Sequence, residues 1–202
     1  MSLLSPYEIG ELLRPYYPGA HTHLLDKLSV YLELLMRWNE RKNLTAVRDP
    51  RRVVQRHFGE SLFLACHIPG HARTLLDLGS GAGFPGIPVA LAQPELIVTL
   101  AESQHKKAAF LREAVRELGI STSVWARRAE DLPPATLFDV VALRAVDRPE
   151  KALRVAEALL ATGGTLAHLT VDAKQRSGVR LTCGSELHFI PLPDAQSVPR
   201  GT

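Results

Sequence analysis

The chain has 202 residues, 46% of them hydrophobic and 22% charged, with a formal charge of +3. That is the size of one globular domain with an appendage, large enough to bury a sizeable core. Two cysteines, Cys66 and Cys183, form neither a metal spacing nor a disulfide framework. They read as small buried apolar residues. Met1 to Glu8 lacks the basic region and apolar core of a signal peptide, and no run approaches a membrane span. A soluble, cytoplasmic protein is expected.

Residues 6–13 can form a short helix, ended by Pro15 and Pro18. Residues 21–41 form a long amphipathic helix, with Leu24, Leu28, Tyr31, Leu35 and Trp38 recurring as one apolar stripe. A polar, asparagine-containing loop follows, from Asn39 to Thr45. Asp49-Pro50 starts the next helix, which runs through Val53, Val54, Phe58 and Leu62 towards Cys66. Pro69-Gly70 then breaks the chain. Residues 1–68 are thus expected to be a helical cap, packed on a unit formed by residues 69–202.

Charge is concentrated in this cap. From Arg37 to His57 seven Lys/Arg stand against two acids, a local charge of +5 that leaves −2 for the remainder. Such a patch suits phosphate backbones, with a solvated helix face as the alternative. Arg41, Lys42, Asn43, Arg48, Arg56 and His57 are the candidate nucleic-acid contacts.

From Thr74 the pattern alternates strand and helix. Thr74–Leu78 is a short apolar run and reads as a buried strand. Four glycines follow within eight residues: Gly79, Gly81, Gly83 and Gly86. Ile87 to Ala92 then reads as a helix with Pro88 in its first turn, where proline is tolerated. A strand, a glycine turn and a helix N-terminus bring a ligand close to bare backbone and line it with free N–H donors. Leu96–Ala101 is the second strand. It ends at Glu102, 23 residues after Gly79, where an acidic residue suits a pair of ribose hydroxyls. The next helix carries Ala108, Leu111, Val115 and Leu118 on one face and stops at Gly119. Residues 121–126 are a third strand, followed by Arg127 to Asp131. Phe138–Leu143 is a fourth strand with Arg144 at its carboxyl end. A helix from Glu150 to Leu160 turns inward with Leu153, Ala156 and Leu160. Gly163-Gly164 turns into a fifth strand, Thr165–Leu169. The tail reads as strand 179–182, turn 183–185 and strand 186–191. The expected fold class is α/β, a mostly parallel sheet with one antiparallel strand and an N-terminal helical cap. Ligands bind such sheets at the carboxyl ends of the strands, where Asp77, Glu102, Glu130 and Arg144 all fall.

Gly81-x-Gly83-x-x-Gly86 matches a dinucleotide fingerprint, and the absence of Gly-Lys-Ser/Thr excludes a P-loop. Asp77 two residues before Gly79 shifts the reading: Asp-x-Gly-x-Gly-x-Gly resembles the first motif of S-adenosylmethionine methyltransferases, and the fold it implies is the Rossmann-like fold of those enzymes. Asp77 would meet the cofactor's ammonium or a bridging water, Gly79, Gly81 and Gly83 would pass beneath it, and Glu130 or a nearby carbonyl would meet the adenine.

Further residues carry a more specific likeness. Trp38-Asn39, Asn43-Leu44-Thr45-Ala46-Val47-Arg48-Asp49-Pro50, Arg56-His57, the turn from Asp77 to Pro88, Arg128-Ala129-Glu130 and Arg144-Ala145 together resemble the glucose-inhibited division protein B family. Its members are small-subunit ribosomal RNA methyltransferases that make 7-methylguanosine in 16S RNA. The resemblance implies that Gly79, Phe84, Ala129, Glu130 and Arg144 touch S-adenosylmethionine, with Glu102 near the ribose. It also implies S-adenosylhomocysteine as product, no metal, 16S RNA in the small ribosomal subunit as partner, and a monomer.

The chemistry agrees with what the sequence lacks. Guanine nitrogen 7 presents a lone pair without a proton, so no general base is needed and catalysis is positioning. The Asn/Asp-Pro-Pro-aromatic motif of exocyclic amino methylases is replaced by Leu143-Arg144-Ala145-Val146. Neither cysteine sits where a cytosine-carbon methylase needs its thiol. Arg144 can hold the cofactor, or grip RNA phosphate or the guanine face; Arg128 is a further phosphate candidate. Thr170 and Leu187 depart from the lysine and arginine usual in the family. A non-catalytic RNA- or ribosome-binding protein with the same fold is the rival reading. A dinucleotide-dependent oxidoreductase is a third, disfavoured by the register of Asp77.

Overall fold

A computed structural model describes residues 3–145, 149–170, 179–180 and 186–191. The cap begins with α1 (Pro6–Leu13), whose N-terminus is closed by a reciprocal capping box between Ser5 and Glu8. Helix α2 (Thr22–Lys42) buries the stripe Leu24, Leu28, Tyr31 and Leu35, and ends at Asn43 in the left-handed conformation, φ 48°. The basic segment then starts α3 (Pro50–Arg52), with Asp49 capping it.

The expected single helix to Cys66 is interrupted. Val53–Phe58 is π-helical, and α-helix resumes as α4 (Gly59–His67). The wider turn points Val53, Val54, His57 and Phe58 inward together. Cys66 is exposed, not buried as its type suggested, because α4 packs through Leu62, Leu64 and Ala65. Cys183 lies outside the described residues.

Strand β1 (Thr74–Leu78) is an interior strand, paired on both sides and buried from Leu75 to Leu78, which explains why its sequence is mostly apolar. Around it come α5 (Gly86–Ala92), β2 (Ile97–Ala101), α6 (His105–Leu118), β3 (Ser123–Trp125) and β4 (Phe138–Arg144). Then follow α7 (Pro149–Ala158), β5 (Leu160–Thr170), β6 (Val179–Arg180) and β7 (Glu186–Pro191). The strand order is β3-β2-β1-β4-β5-β7-β6. The first five strands run parallel, and β7 is antiparallel to both β5 and β6. The chain goes outward from β1 on one side and returns beside it as β4, so the switch point lies at the carboxyl ends of β1 and β4.

Three local expectations shift. The third strand is only Ser123–Trp125. Leu160 belongs to β5 rather than to a helix, and Gly163-Gly164 lies inside that strand. The register slips between the pairs Phe138–Leu160 and Val140–Thr165, so the glycines occupy an irregularity that keeps β5 paired to β4.

One hydrophobic cluster joins Leu28, Tyr31 and Phe58 of the cap to Leu75, Phe84, Leu100 and Phe110 of the sheet unit. A second lies under the opposite face, between β4 and α7.

Candidate functional site

The glycine turn leaves β1 at the switch point. Gly79, Gly81 and Gly83 have φ of 75°, 57° and 89°, conformations that L side chains rarely adopt. Gly83 also lies against the cap: a Cβ there would meet Ile87 Cδ1 at 2.5 Å and the Tyr31 hydroxyl at 2.8 Å. That hydroxyl donates to the carbonyl of Ala82, so α2 holds the turn directly. Tyr31 is fully buried and stacks on Phe58, with centroids 5.3 Å apart.

Most N–H groups of this turn have protein acceptors, contrary to the expectation of free donors. Those of Gly79 and Ser80 donate to the carbonyl of Ala101 at 2.9 and 3.0 Å. Those of Gly83 and Phe84 donate to the carbonyl of Ser80, and that of Ile87 to Gly83. Gly81 donates to Glu102 Oε2 at 3.0 Å and Gly86 to Asp77 Oδ2 at 2.9 Å. The β2 strand end, two carboxylates and the turn's own carbonyls take up these donors. What remains is close approach over bare Cα atoms, suited to a ligand without phosphate.

Glu102 is 5% exposed and uses both oxygens, Oε2 for Gly81 and Oε1 for the N–H of Gln104 at 2.7 Å. Each carboxylate oxygen keeps a second lone pair for an outside donor. Asp77 is fully buried, and its Oδ1 has no hydrogen-bond partner. Burial raises its carboxyl to a pKa of about 7, against the pull of the Gly86 N–H, Ser80 and Arg144 and with the push of Glu102. An orphaned buried carboxylate oxygen beside the turn is an unused acceptor.

A cavity of about 400 Å³ opens beside the turn, lined among others by Gly79, Glu102, Arg128, Ala129 and Glu130. Ala129 is buried at the start of a 3₁₀ turn (Ala129–Asp131). Glu130 accepts from Lys151 of α7 at 2.9 Å, and this bond lowers its pKa first. Arg128 is exposed at the cavity mouth, and its carbonyl accepts the indole N–H of Trp125 at 2.8 Å.

Across the turn, Phe84 is 5% exposed, within 4.9 Å of the His57 ring and 5.8 Å of the Phe58 ring by centroid. The Arg144 guanidinium lies 5.8 Å from the Phe84 ring centre. Its Nε donates to Glu60 Oε2 at 2.7 Å, and its Nη2 lies 2.6 Å from His57 Nδ1. Glu60 is 2% exposed and meets Arg56 on its other oxygen at 3.7 Å. His57 Nε2 is 2.9 Å from Thr45 Oγ1. Burial first, then Arg144 and Arg56, lowers the His57 pKa to about 3, so the ring is neutral.

The candidate nucleic-acid residues divide. Arg41, Lys42, Asn43, Arg48 and Arg56 are exposed. Arg48, Arg52, Gln55 and Arg56 line an open groove of about 730 Å³. His57 does not join them. It is 5% exposed, because the π turn carries it under Phe84 and Arg144. Sequence reading also missed Tyr31 as a polar group, and Thr45, Glu60 and Lys151. For Glu60 a signal was present: a single acid opening the otherwise apolar run Gly59 to Ala65.

The model of the family described as rRNA small subunit methyltransferase G, GidB, matches residues 24–179. The chain belongs to this family. A GidB relative from Nitrosomonas europaea, named ribosomal RNA small subunit methyltransferase G, is 46% identical over 138 residues. That match covers 68% of this chain and 64% of the relative, less than two thirds of its length. A relative of the same name from Xanthomonas euvesicatoria is 47% identical over 167 residues, 81% of this chain and 78% of its own. Among solved structures, the O-methyltransferase TomG of Streptomyces achromogenes in complex with SAM superposes with a TM-score of 0.55 at 18% identity. The superposition covers 82% of this chain and 90% of TomG. P. horikoshii TYW2 in complex with MeSAdo gives 0.51 at 12% identity, covering 63% and 59%. At such identities the likeness is one of fold, the Rossmann-like methyltransferase fold. Leu187, where the family's usual arginine is missing, is fully buried in the main core, and Thr170 closes β5.

Proposed function

We propose that this chain transfers a methyl group from S-adenosylmethionine to nitrogen 7 of a guanine in 16S ribosomal RNA. The observation that carries the reading is the glycine turn most of whose N–H groups are taken up internally, beside two buried carboxylates. A pyrophosphate needs free N–H donors there, whereas a cationic nucleoside needs acceptors. When bound, S-adenosylmethionine supplies an electrophilic methyl group that passes to the nitrogen lone pair as the carbon–sulfur bond breaks, leaving S-adenosylhomocysteine.

Each residue has a place in that reading. Glu102 turns its spare lone pairs to two ribose hydroxyls. Asp77 Oδ1 accepts from the ammonium or a bridging water. Gly79, Gly81, Gly83 and Phe84 form the floor, and Ala129 and Glu130 the adenine wall. Arg144, at the end of β4, faces the incoming base, and Arg128 grips phosphate at the cavity mouth. Arg41, Lys42, Asn43, Arg48 and Arg56 hold the RNA backbone. Nitrogen 7 carries no proton to remove, so these residues align the reactants rather than exchange protons. Residues 1–68 serve as a cap on a catalytic unit of residues 69–202, acting as a monomer in the cytoplasm on the small ribosomal subunit.

The test is mass mapping of 16S RNA after incubation with S-adenosylmethionine, as 30S particles and as naked RNA. One added methyl on a guanine ring nitrogen is the expected result. Binding of S-adenosylmethionine and RNA without methyl incorporation overturns the catalytic reading in favour of a non-catalytic RNA-binding protein. Calorimetry with NAD in place of S-adenosylmethionine separates the oxidoreductase reading, and no heat of binding is expected.

A further inference from the structure

The π-helical segment Val53–Phe58 interrupts the α-helix between α3 and α4. Such a turn costs helix regularity, and it re-aims the side chains it carries. Here it brings His57 under the guanidinium of Arg144, at 2.6 Å between Nδ1 and Nη2. Arginine has only donors, so Nδ1 is the acceptor and the ring proton is on Nε2. That N–H donates to Thr45 Oγ1 at 2.9 Å. Thr45 Oγ1 also accepts the N–H of Val47 at 3.2 Å, and the Thr45 N–H donates to Asn39 Oδ1 at 2.9 Å. A continuous polar chain therefore runs from the loop of residues 43–48, where Asn43 and Arg48 are exposed, to the carboxyl end of β4.

We propose that His57 is a positioning residue. As a neutral acceptor on one edge of the Arg144 fork, with Glu60 on the other, it holds the guanidinium in one orientation over Phe84. Through Thr45 it ties that orientation to the loop of residues 43–48. The choice of imidazole follows from charge. Glu60 already pairs with the guanidinium, and a second carboxylate in the same buried space would have to be desolvated as well. A neutral acceptor fixes the rotation of the fork without changing its net charge.

The functional arm of this inference rests on the proposed methyl transfer; the structural arm does not. In the structural arm, nitrogen-15 spectra of histidine-labelled protein at pH 7 should show His57, assigned by its loss in His57→Asn, as the pure Nε2–H tautomer. Arg144→Ala should release it to a mixture. A mixed or doubly protonated ring in the unsubstituted protein overturns the proposal. In the functional arm, His57→Phe should lower single-turnover methyl transfer about tenfold or more while the S-adenosylmethionine Kd changes less than about threefold. His57→Asn, whose Oδ1 can accept near the position of Nδ1, should recover most of that loss. Added to Arg144→Ala, His57→Phe should change the rate less than about twofold, since it acts only through the arginine. Asn performing no better than Phe, or losses that multiply in the double variant, overturn it. If His57→Phe does not fold, Thr45→Val tests the same chain from its outer end, and a changed Kd with an unchanged rate counts against it. If the unsubstituted protein transfers no methyl group, the proposed function fails and the tautomer measurement still decides this one.

Discussion

Replacing Asp77 by asparagine should stabilise the ligand-free protein, and increasingly so as pH rises. The carboxyl is fully buried and its pKa is raised from 3.8 to about 7. An acid raised by folding favours the folded state below its unfolded value, and that contribution is lost as pH climbs through the folded value. The gap is worth about 4 kcal/mol once both states are ionised. At pH 5 the folded carboxyl is still protonated and the unfolded one is not, so a little under half of that loss has occurred. Between pH 5 and pH 8 the advantage of asparagine should grow by about 2–3 kcal/mol. Asparagine keeps an acceptor for the Gly86 N–H, and it never carries the charge. Urea unfolding of both proteins at the two pH values measures the change. Arg144, Glu102 and Tyr31 also act electrostatically on this carboxyl. They are common to both proteins, so the difference isolates Asp77. An advantage that stays flat, or shrinks as pH rises, would refute the assignment of the raised pKa to a buried, half-partnered carboxylate.

The same carboxyl should release its proton when S-adenosylmethionine binds near pH 7. Calorimetry in buffers of different ionisation enthalpy should then show a fractional proton released, absent in Asp77→Asn; buffer-independent heat counts against an ammonium contact at Oδ1. Gly86→Ala should cost about 3 kcal/mol or more, because its Cβ would meet Leu100 Cδ2 at 2.3 Å and Asp77 Oδ2 at 2.8 Å; a melting temperature unchanged from wild type would show that this corner can relax. Glu102→Gln turns an amide NH₂ towards one of the two backbone N–H groups that the carboxylate serves. It should weaken S-adenosylmethionine binding by about 10–100-fold, consistent with loss of one or two charge-assisted hydrogen bonds; a Kd within twofold of wild type speaks against ribose contact. Replacing Cys66 and Cys183 by serine should leave methyl transfer intact, and loss of activity in a still-folded protein would point to thiol chemistry.

Much of the architecture was legible because its signals are local. The apolar run of β1, the glycines after it and the acid 23 residues beyond Gly79 are statements about neighbouring residues, and they survive folding. What the sequence hid depends on distant partners. The glycine turn looked like a row of free donors until the carbonyl of Ala101, at the end of β2, took two of them. Gly163-Gly164 carries a turn signal, and it is the pairing of Leu160 and Thr165 with β4 on either side that makes it an irregularity within one strand. His57 stands in a basic stretch and resembles its neighbours; only the π turn, which leaves no mark on the apolar spacing of Val53, Val54 and Phe58, turns it inward. Tyr31 belongs to the apolar stripe of α2, and helical periodicity carries no sign of its hydroxyl's bond to Ala82.

The balance of buried charge ties these details to the choice of ligand. Asp77, Glu60 and Glu102 are exposed by 0%, 2% and 5%, and the guanidinium that reaches them, Arg144, has a side chain 11% exposed. Glu60 matches Arg144, while Glu102 is satisfied by backbone donors and Asp77 only in part. The cavity beside the turn is lined by Glu102 and Glu130 and by Arg127, Arg128 and Lys151, and Glu102 and Asp77 are the buried acids nearest the turn. A dinucleotide would bring its phosphates towards those two carboxylates. Under the proposed function, the ammonium of S-adenosylmethionine would add positive charge where Asp77 has an unused oxygen, and would offset the cost of ionising that carboxyl in a dry site. On this account the strain of keeping Asp77 in the core is relieved by the ligand, and the exposed arginines at residues 41–56 stay available for a partner of the opposite sign.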